Sequence, residues 1–229
     1  MELFVKIFRY TQWTSALIIA SVFALTACSN NSESVPDTRG VYMLMDTSGT
    51  YTQELEQARR VINFTLAELK PGDSFAVARV DTGSFSEKDI VTKATFDSRP
   101  SVSNEQKRIF QASISAFLKD VKSSTHTDIT GGILQAVEYL NETGAGHKTI
   151  LVFSDMKEDL REGYVRDDIP FALSGYRVVA LNVTKLRADN VDPRNYLDRL
   201  DSWKQRVESG GGEWKVVNDL ERLESLLAQ

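Results

Sequence analysis

The sequence predicts an α/β fold of three layers: an open, doubly wound, mostly parallel sheet of six strands with helices on both faces. Three observations predict it. Short apolar runs alternate with stretches whose apolar residues recur at helical spacing. Two of the runs, Gly40 to Met45 and Lys148 to Phe153, are almost continuously apolar, as suits strands covered on both faces. Each of these two runs stops at a carboxylate, at Asp46 and at Ser154-Asp155.

The elements follow in order. Gly40 to Met45 is the first strand. Gln53 to Leu69 is a helix, with Leu55, Ala58, Val61, Ile62, Leu66 and Leu69 on one stripe, ended by Lys70-Pro71-Gly72-Asp73. Ser74 to Val80 and Ile90 to Phe96 are strands two and three, separated by a turn at Asp81 to Ser84. They lie close enough in sequence for a hairpin-type pair, so strand three is expected to be an antiparallel edge. Asp97 to Asn104 reads as a loop containing Pro100. A helix over Glu105 to Val121 follows, with Ile109, Phe110, Ile114, Phe117, Leu118 and Val121 apolar. Ile129 to Asn141 is the third helix, and Lys148 to Phe153 the fourth strand. Tyr176 to Val183 is strand five. Pro193 to Glu208 is a helix with Tyr196, Leu197, Leu200, Trp203 and Val207 inward. Gly210-Gly211-Gly212 leads into strand six, Glu213 to Val217, and Leu220 to Leu227 forms a closing helix.

Composition is that of a globular chain with a core: 229 residues, 41% hydrophobic and 26% charged. The net charge is −5, of which the first 27 residues contribute +1, so the body is acidic. That balance excludes the clustered basic footprint of a nucleic-acid binder.

The first 27 residues stand apart from the fold. Lys6 and Arg9 form a positive n-region, and Ala16 to Leu25 is an apolar stretch too short for a membrane span. Leu25-Thr26-Ala27-Cys28 resembles the lipobox of bacterial lipoproteins. The resemblance implies removal of residues 1–27 and acylation of Cys28, the single cysteine of the chain. Acylation would anchor the protein stably and remove a free thiol from an oxidising envelope. Ser29 follows the cysteine, which in that family implies the outer membrane in a Gram-negative source. Residues 28–39 are polar and read as a flexible tether, leaving 40–229 as the folded domain.

The stretch Asp46-Thr47-Ser48-Gly49-Thr50 carries the strongest chemical signal. In an extended loop Asp46, Ser48 and Thr50 point the same way. One carboxylate and two hydroxyls on one side suit a small hard cation. The same residues also make a good capping turn without any metal. Ligands in such sheets sit beyond the carboxyl ends of the strands, where strand order reverses. If the first and fourth strands are neighbours, Asp46 and Asp155 meet there, joined by the hydroxyl-rich stretch Ser123 to Gly132.

Asp46-x-Ser48-x-Thr50, then Thr127-Asp128-Ile129 opening a helix, then Asp155 after an apolar strand, resembles the metal-ion-dependent adhesion site of von Willebrand factor type A domains. The order of strands and helices from Gly40 onward is similar to that family too. The resemblance implies a sheet ordered 3-2-1-4-5-6 with strand three antiparallel. It implies that Asp46, Ser48, Thr50, Thr127 and Asp155 hold Mg²⁺, Mn²⁺ or Ca²⁺, and that a partner protein's acidic side chain completes the coordination. Two positions depart from the family's wording. Thr50 replaces the usual Ser, and Met156 stands where Gly commonly follows the fourth-strand Asp. Thr125 and Thr130 are alternatives to Thr127. With few formal charges and several neutral hydroxyls, such a site would leave the ion's charge incompletely offset and attract an acidic group.

Other readings are set beside this one. A degenerate domain of the same fold would bind partners without metal. The Asp46 loop also resembles the phospho-aspartate loop of haloacid-dehalogenase enzymes, with Lys157 and Asp159 as supporting residues. Ser48, where those phosphatases have Asp, and the unexplained Thr127 loop stand against it. Gly144 to Thr149 precedes a strand and so fails as a phosphate loop. His126 reads as a solvated loop residue, Trp203 and Trp214 as core, and Arg161, Arg166, Asp167 and Asp168 as a solvated face. No nucleophile–base pair is visible, and no enzyme activity is expected.

Overall fold

β1 (Arg39–Asp46) is the centre of the molecule because every residue from Val41 to Asp46 is buried. It pairs in parallel with β2 (Ser74–Val80) on one side and with β4 (His147–Phe153) on the other. β5 (Tyr176–Leu181) and β6 (Glu213–Val217) extend the sheet beyond β4, again in parallel. β3 (Ile90–Thr95) runs antiparallel to β2 at the far edge, with a register shift between Val77 and Ala78. The order is therefore β3-β2-β1-β4-β5-β6, with strand three the antiparallel edge, as expected. These statements come from a computed structural model describing residues 36–48, 54–166, 169–183, 192, 194–218, 222–223 and 225.

Alternation along β1 builds both interior layers. Val41, Met43 and Met45 face one cluster, with Ala58, Val61, Ile62 and Leu66 of α1 (Leu55–Glu68) and Phe110 and Ile114 of α2 (Pro100–Asp120). Tyr42 and Leu44 face the other, with Ile129, Ile133, Ala136 and Leu140 of α3 (Ile129–Glu142) and Trp203 and Val207 of α4 (Arg194–Ser209). Full burial of such a side chain contributes roughly 1.5–3 kcal/mol, so the two clusters carry most of the stabilisation. α3 lies close against β1: a Cβ on Gly132 would sit 2.7 Å from Leu44. That close approach fixes where the α3 N-terminus emerges.

The structure corrects several boundaries. α2 begins at Pro100, inside the expected loop 97–104, because proline is pre-organised for the first helical position and its missing N–H costs nothing there. Ile109 and Leu197 were expected inward but are 59% and 58% exposed, each at the margin of its apolar stripe. β5 ends at Leu181 because Asn182 turns left-handed, with φ 54°. The expected solvated face fails at Arg166, whose side chain is largely covered and ion-paired at 2.9 Å to the buried Asp128. Residues 1–35, Thr50, Asp167, Asp168 and most of the closing helix lie outside the described residues. Among those described, no helix is long and apolar enough to cross a membrane.

Candidate functional site

The strand order reverses between β1 and β4; β1 ends at Asp46, and Ser154 and Asp155 follow directly on β4. Asp46 is the last residue of β1 and is 1% exposed. Its Oδ1 accepts from the Ser48 N–H at 2.8 Å, two residues on. Its Oδ2 accepts from Ser154 Oγ at 2.8 Å, across the β1–β4 seam. Ser154 Oγ in turn accepts from the Met156 N–H at 3.1 Å. Ser154, for which the sequence offers a bond within the site loop or a simple cap, is thus a central member of the site. Its position, opposite Asp46 in the next strand, was the available signal.

Asp155 lies beside this pair, 5% exposed, with Oδ1 accepting from the Lys157 N–H at 2.8 Å. Burial raises its pKa above the ordinary carboxylate value, and the nearby Asp46 charge adds to the rise. Arg199 donates to the Asp155 carbonyl at 3.0 Å, which holds the loop from the α4 side. Met156 then takes φ 64°, the left-handed conformation that favours glycine. Its side chain is nonetheless fully buried in the α3/α4 cluster, and its carbonyl accepts from Trp203 Nε1 at 2.8 Å. The departure Gly→Met therefore leaves the turn left-handed, with burial and the Trp203 contact offsetting strain of about 1–2 kcal/mol.

The segment from Ser124 to Asp128 is laced to both strand-end loops. Ser124 N–H donates to the Thr47 carbonyl at 2.9 Å, and Thr127 and Asp159 exchange two backbone hydrogen bonds at 2.8 and 3.0 Å. Ser124 Oγ also bonds Asp81 Oδ1 at 2.7 Å, tying the segment to the end of β2. Asp128 caps α3 by accepting from Gly131 N–H at 2.8 Å, and also accepts from Ser84 N–H and Arg166. Its neighbour Thr127 is 4% exposed.

Among the three candidate threonines, Thr130 is committed elsewhere: its N–H and Oγ1 both donate to Glu158 at 2.6 and 3.0 Å, and Arg206 donates to Oγ1. Burial raises the Glu158 pKa despite these contacts. His126 Nδ1 is covered with no hydrogen-bond partner among the described residues. His126 is accordingly half-buried, 3.8 Å from Asp159, rather than fully solvated. Trp203 is core, as expected, and Trp214 packs partly buried against the same cluster. No three His, Cys, Asp or Glu side chains gather as a metal group among the described residues. The strand-end carboxylates at this edge, Asp46 and Asp155, stand instead among neutral hydroxyls.

Among solved structures, the chain is similar to a von Willebrand factor type A protein from Catenulispora acidiphila, with TM-score 0.53 and 11% identity over 83% of this chain and 41% of that one. It is similar at TM-score 0.53 and 13% identity to the pilus adhesin SpaC from Lactobacillus rhamnosus GG, over 85% of this chain and 29% of that one. The chain has the von Willebrand factor type A fold. It spans less than half the length of either protein. No protein-family model matches the sequence, and no curated protein is significantly similar to it.

Proposed function

We propose that this von Willebrand type A-like domain is held at a bacterial envelope membrane through acylated Cys28 and binds a protein partner through a divalent cation. Asp46, Ser48, Thr50, Thr127 and Asp155 would hold the ion, directly or through water. The ion would supply a Lewis-acidic position that attracts a carboxylate of the partner. The observation that carries this reading is the lacing of three chain segments at the switch point, with the buried Asp46 and Asp155 close enough for the charge of one to raise the pKa of the other. A cation would offset the like charges of Asp46 and Asp155. The likeness to a pilus adhesin supports binding over catalysis, and Asp46, buried with both oxygens accepting hydrogen bonds, offers little access as a phospho-acceptor.

A second reading, partner binding without metal, is favoured by those same Asp46 hydrogen bonds, which close the strand end without an ion. Calorimetric titration of Mg²⁺ and Mn²⁺ into the full chain in detergent separates the two. The metal reading expects saturable heat that Asp46→Ala and Thr127→Ala abolish. Absence of saturable heat in the unmutated chain would leave the metal-free reading. For the anchor, Cys28→Ser should move the protein out of the membrane fraction.

A further inference from the structure

The opposite end of the sheet holds a second concave site. A cavity of about 300 Å³ opens at the amino ends of β1, β4, β5 and β6, at the low end of the roughly 300–1,000 Å³ typical of small-molecule sites. Arg39, His147, Lys148, Arg177 and Glu213 line it: three fixed cations and a histidine against one carboxylate. With the paired Asp73, Asp37 and Lys215 included, four cations face three carboxylates, a small positive excess in a domain whose overall charge is negative. Concave surfaces with an excess of one sign concentrate counter-ions. Glu213 is itself shared between Arg177 at 2.7 Å and Lys215 at 2.8 Å, so its charge is more than offset. Arg39 is held by Asp73 at 2.8 Å, which fixes the guanidinium at the cavity wall. Lys148 has no carboxylate partner among the described residues. It reaches Asn141 Oδ1 at 2.6 Å and lies over the Tyr176 ring, which holds the ammonium at the mouth.

The location of the cavity adds to the charge. The domain's chain enters at this end: the Thr38 carbonyl accepts from the Gly146 and His147 N–H groups, and Asp37 lies 3.8 Å from His147. Asp37 is nine steps along the chain from Cys28, a reach of at most about 30–32 Å. An acylated Cys28 would therefore keep this end close to lipid headgroups.

We propose that this cavity binds a phosphate-bearing anion, supplied by an anionic lipid headgroup of the membrane that carries the anchor. Arginine and lysine together suit phosphate, the former by its planar fork and the latter as a point charge. The lipid source rests on the anchor proposed above; the phosphate chemistry does not.

The test is by NMR of the full chain, isotopically labelled, following the amides of Gly146, Gly175 and Gly211 around the cavity. Inorganic phosphate is titrated in neutral detergent micelles, and the chain is separately placed in phosphatidylcholine nanodiscs with and without phosphatidylglycerol. The expected result is a saturable shift of these amides with phosphate, reproduced by phosphatidylglycerol. Lys148→Gln should weaken the apparent phosphate affinity about tenfold, the weight of one charge-assisted hydrogen bond, and Lys148→Arg should restore it. Arg59→Ala, at an exposed side chain outside the cavity lining, should change nothing, and failure of the metal reading does not touch this one. A response to phosphate without one to phosphatidylglycerol overturns the lipid source and keeps the anion site. Unmoved amides, or shifts undiminished in Lys148→Gln, overturn the site itself.

Discussion

Ser154 Oγ donates to Asp46 Oδ2 at 2.8 Å, and this hydrogen bond joins the ends of the two central strands. Met45 pairs with Phe153 one step earlier, so the strand register delivers the two side chains to each other. Removing the hydroxyl leaves a buried carboxylate oxygen and the Met156 N–H without their partner. Ser154→Ala should cost about 1–3 kcal/mol in chemical denaturation, more than a surface Ser→Ala. Ser154→Thr, which keeps the hydroxyl, should recover part of it if the extra methyl is accommodated.

Arg166 covers Asp128 with two hydrogen bonds, at 3.2 and 2.9 Å, and the carboxylate is 1% exposed. Arg166→Ala strips the only cation from that carboxylate among the described ion pairs, leaving the Ser84 and Gly131 N–H groups. A loss of about 2–4 kcal/mol is expected, short of the full cost of an uncompensated buried charge. Thermal melts of Arg166→Ala and Arg166→Lys would check it. A loss as small as that of an exposed pair, Arg59→Ala for example, would overturn the structural role.

Met156 should show an inverted order of substitutions. Met156→Ala keeps the left-handed strain and empties a buried position. Met156→Gly empties it and releases the strain. Both should be less stable than the native chain, but glycine should match or exceed alanine by up to about 1 kcal/mol, the reverse of the usual order. Denaturant midpoints of the three proteins decide this.

Asp89, outside the proposed ligand set, gives a pH prediction. It is 2% exposed, one oxygen meets Arg79 at 3.2 Å, and the other has no hydrogen-bond partner. Burial raises its pKa above 3.8 in spite of Arg79. The folded state then binds the proton more tightly than the unfolded state. The ionised form carries a penalty that is fully present above the raised folded value and fades as pH falls through that value toward 3.8. Asp89→Asn should therefore be at least as stable as the native chain at neutral pH, while Arg79 keeps Asp81 at 2.9 Å. Its advantage should shrink on acidification. A gap that widens as pH falls would reverse the assigned sign.

Much of the architecture was legible because it rests on local pattern. Val41 to Met45 is apolar at every position, which only a strand buried on both faces requires, and α3 announces itself by Asp128 before Ile129. The start of α2 was misread because Pro100 signals either a loop or a first helical turn, and only packing selects between them. Arg166 and Asp128 lie 38 residues apart, and no local rule pairs them.

The sequence by itself determined the alternation of strands and helices, the two strand ends that carry Asp46 and Asp155, and the oxygen-only character of the loops beside them. Side-chain periodicity and turn chemistry are local properties, so they can be read from neighbours in the chain. Tertiary structure alone decided that Ser154 meets Asp46, that Thr130 is consumed by Glu158 and Arg206, and that Met156 takes a left-handed turn. It also placed Arg39, Lys148 and Arg177 around one cavity at the far end of the sheet. Those outcomes depend on strand register and on which helix covers which strand, and both are set by burial across the whole domain.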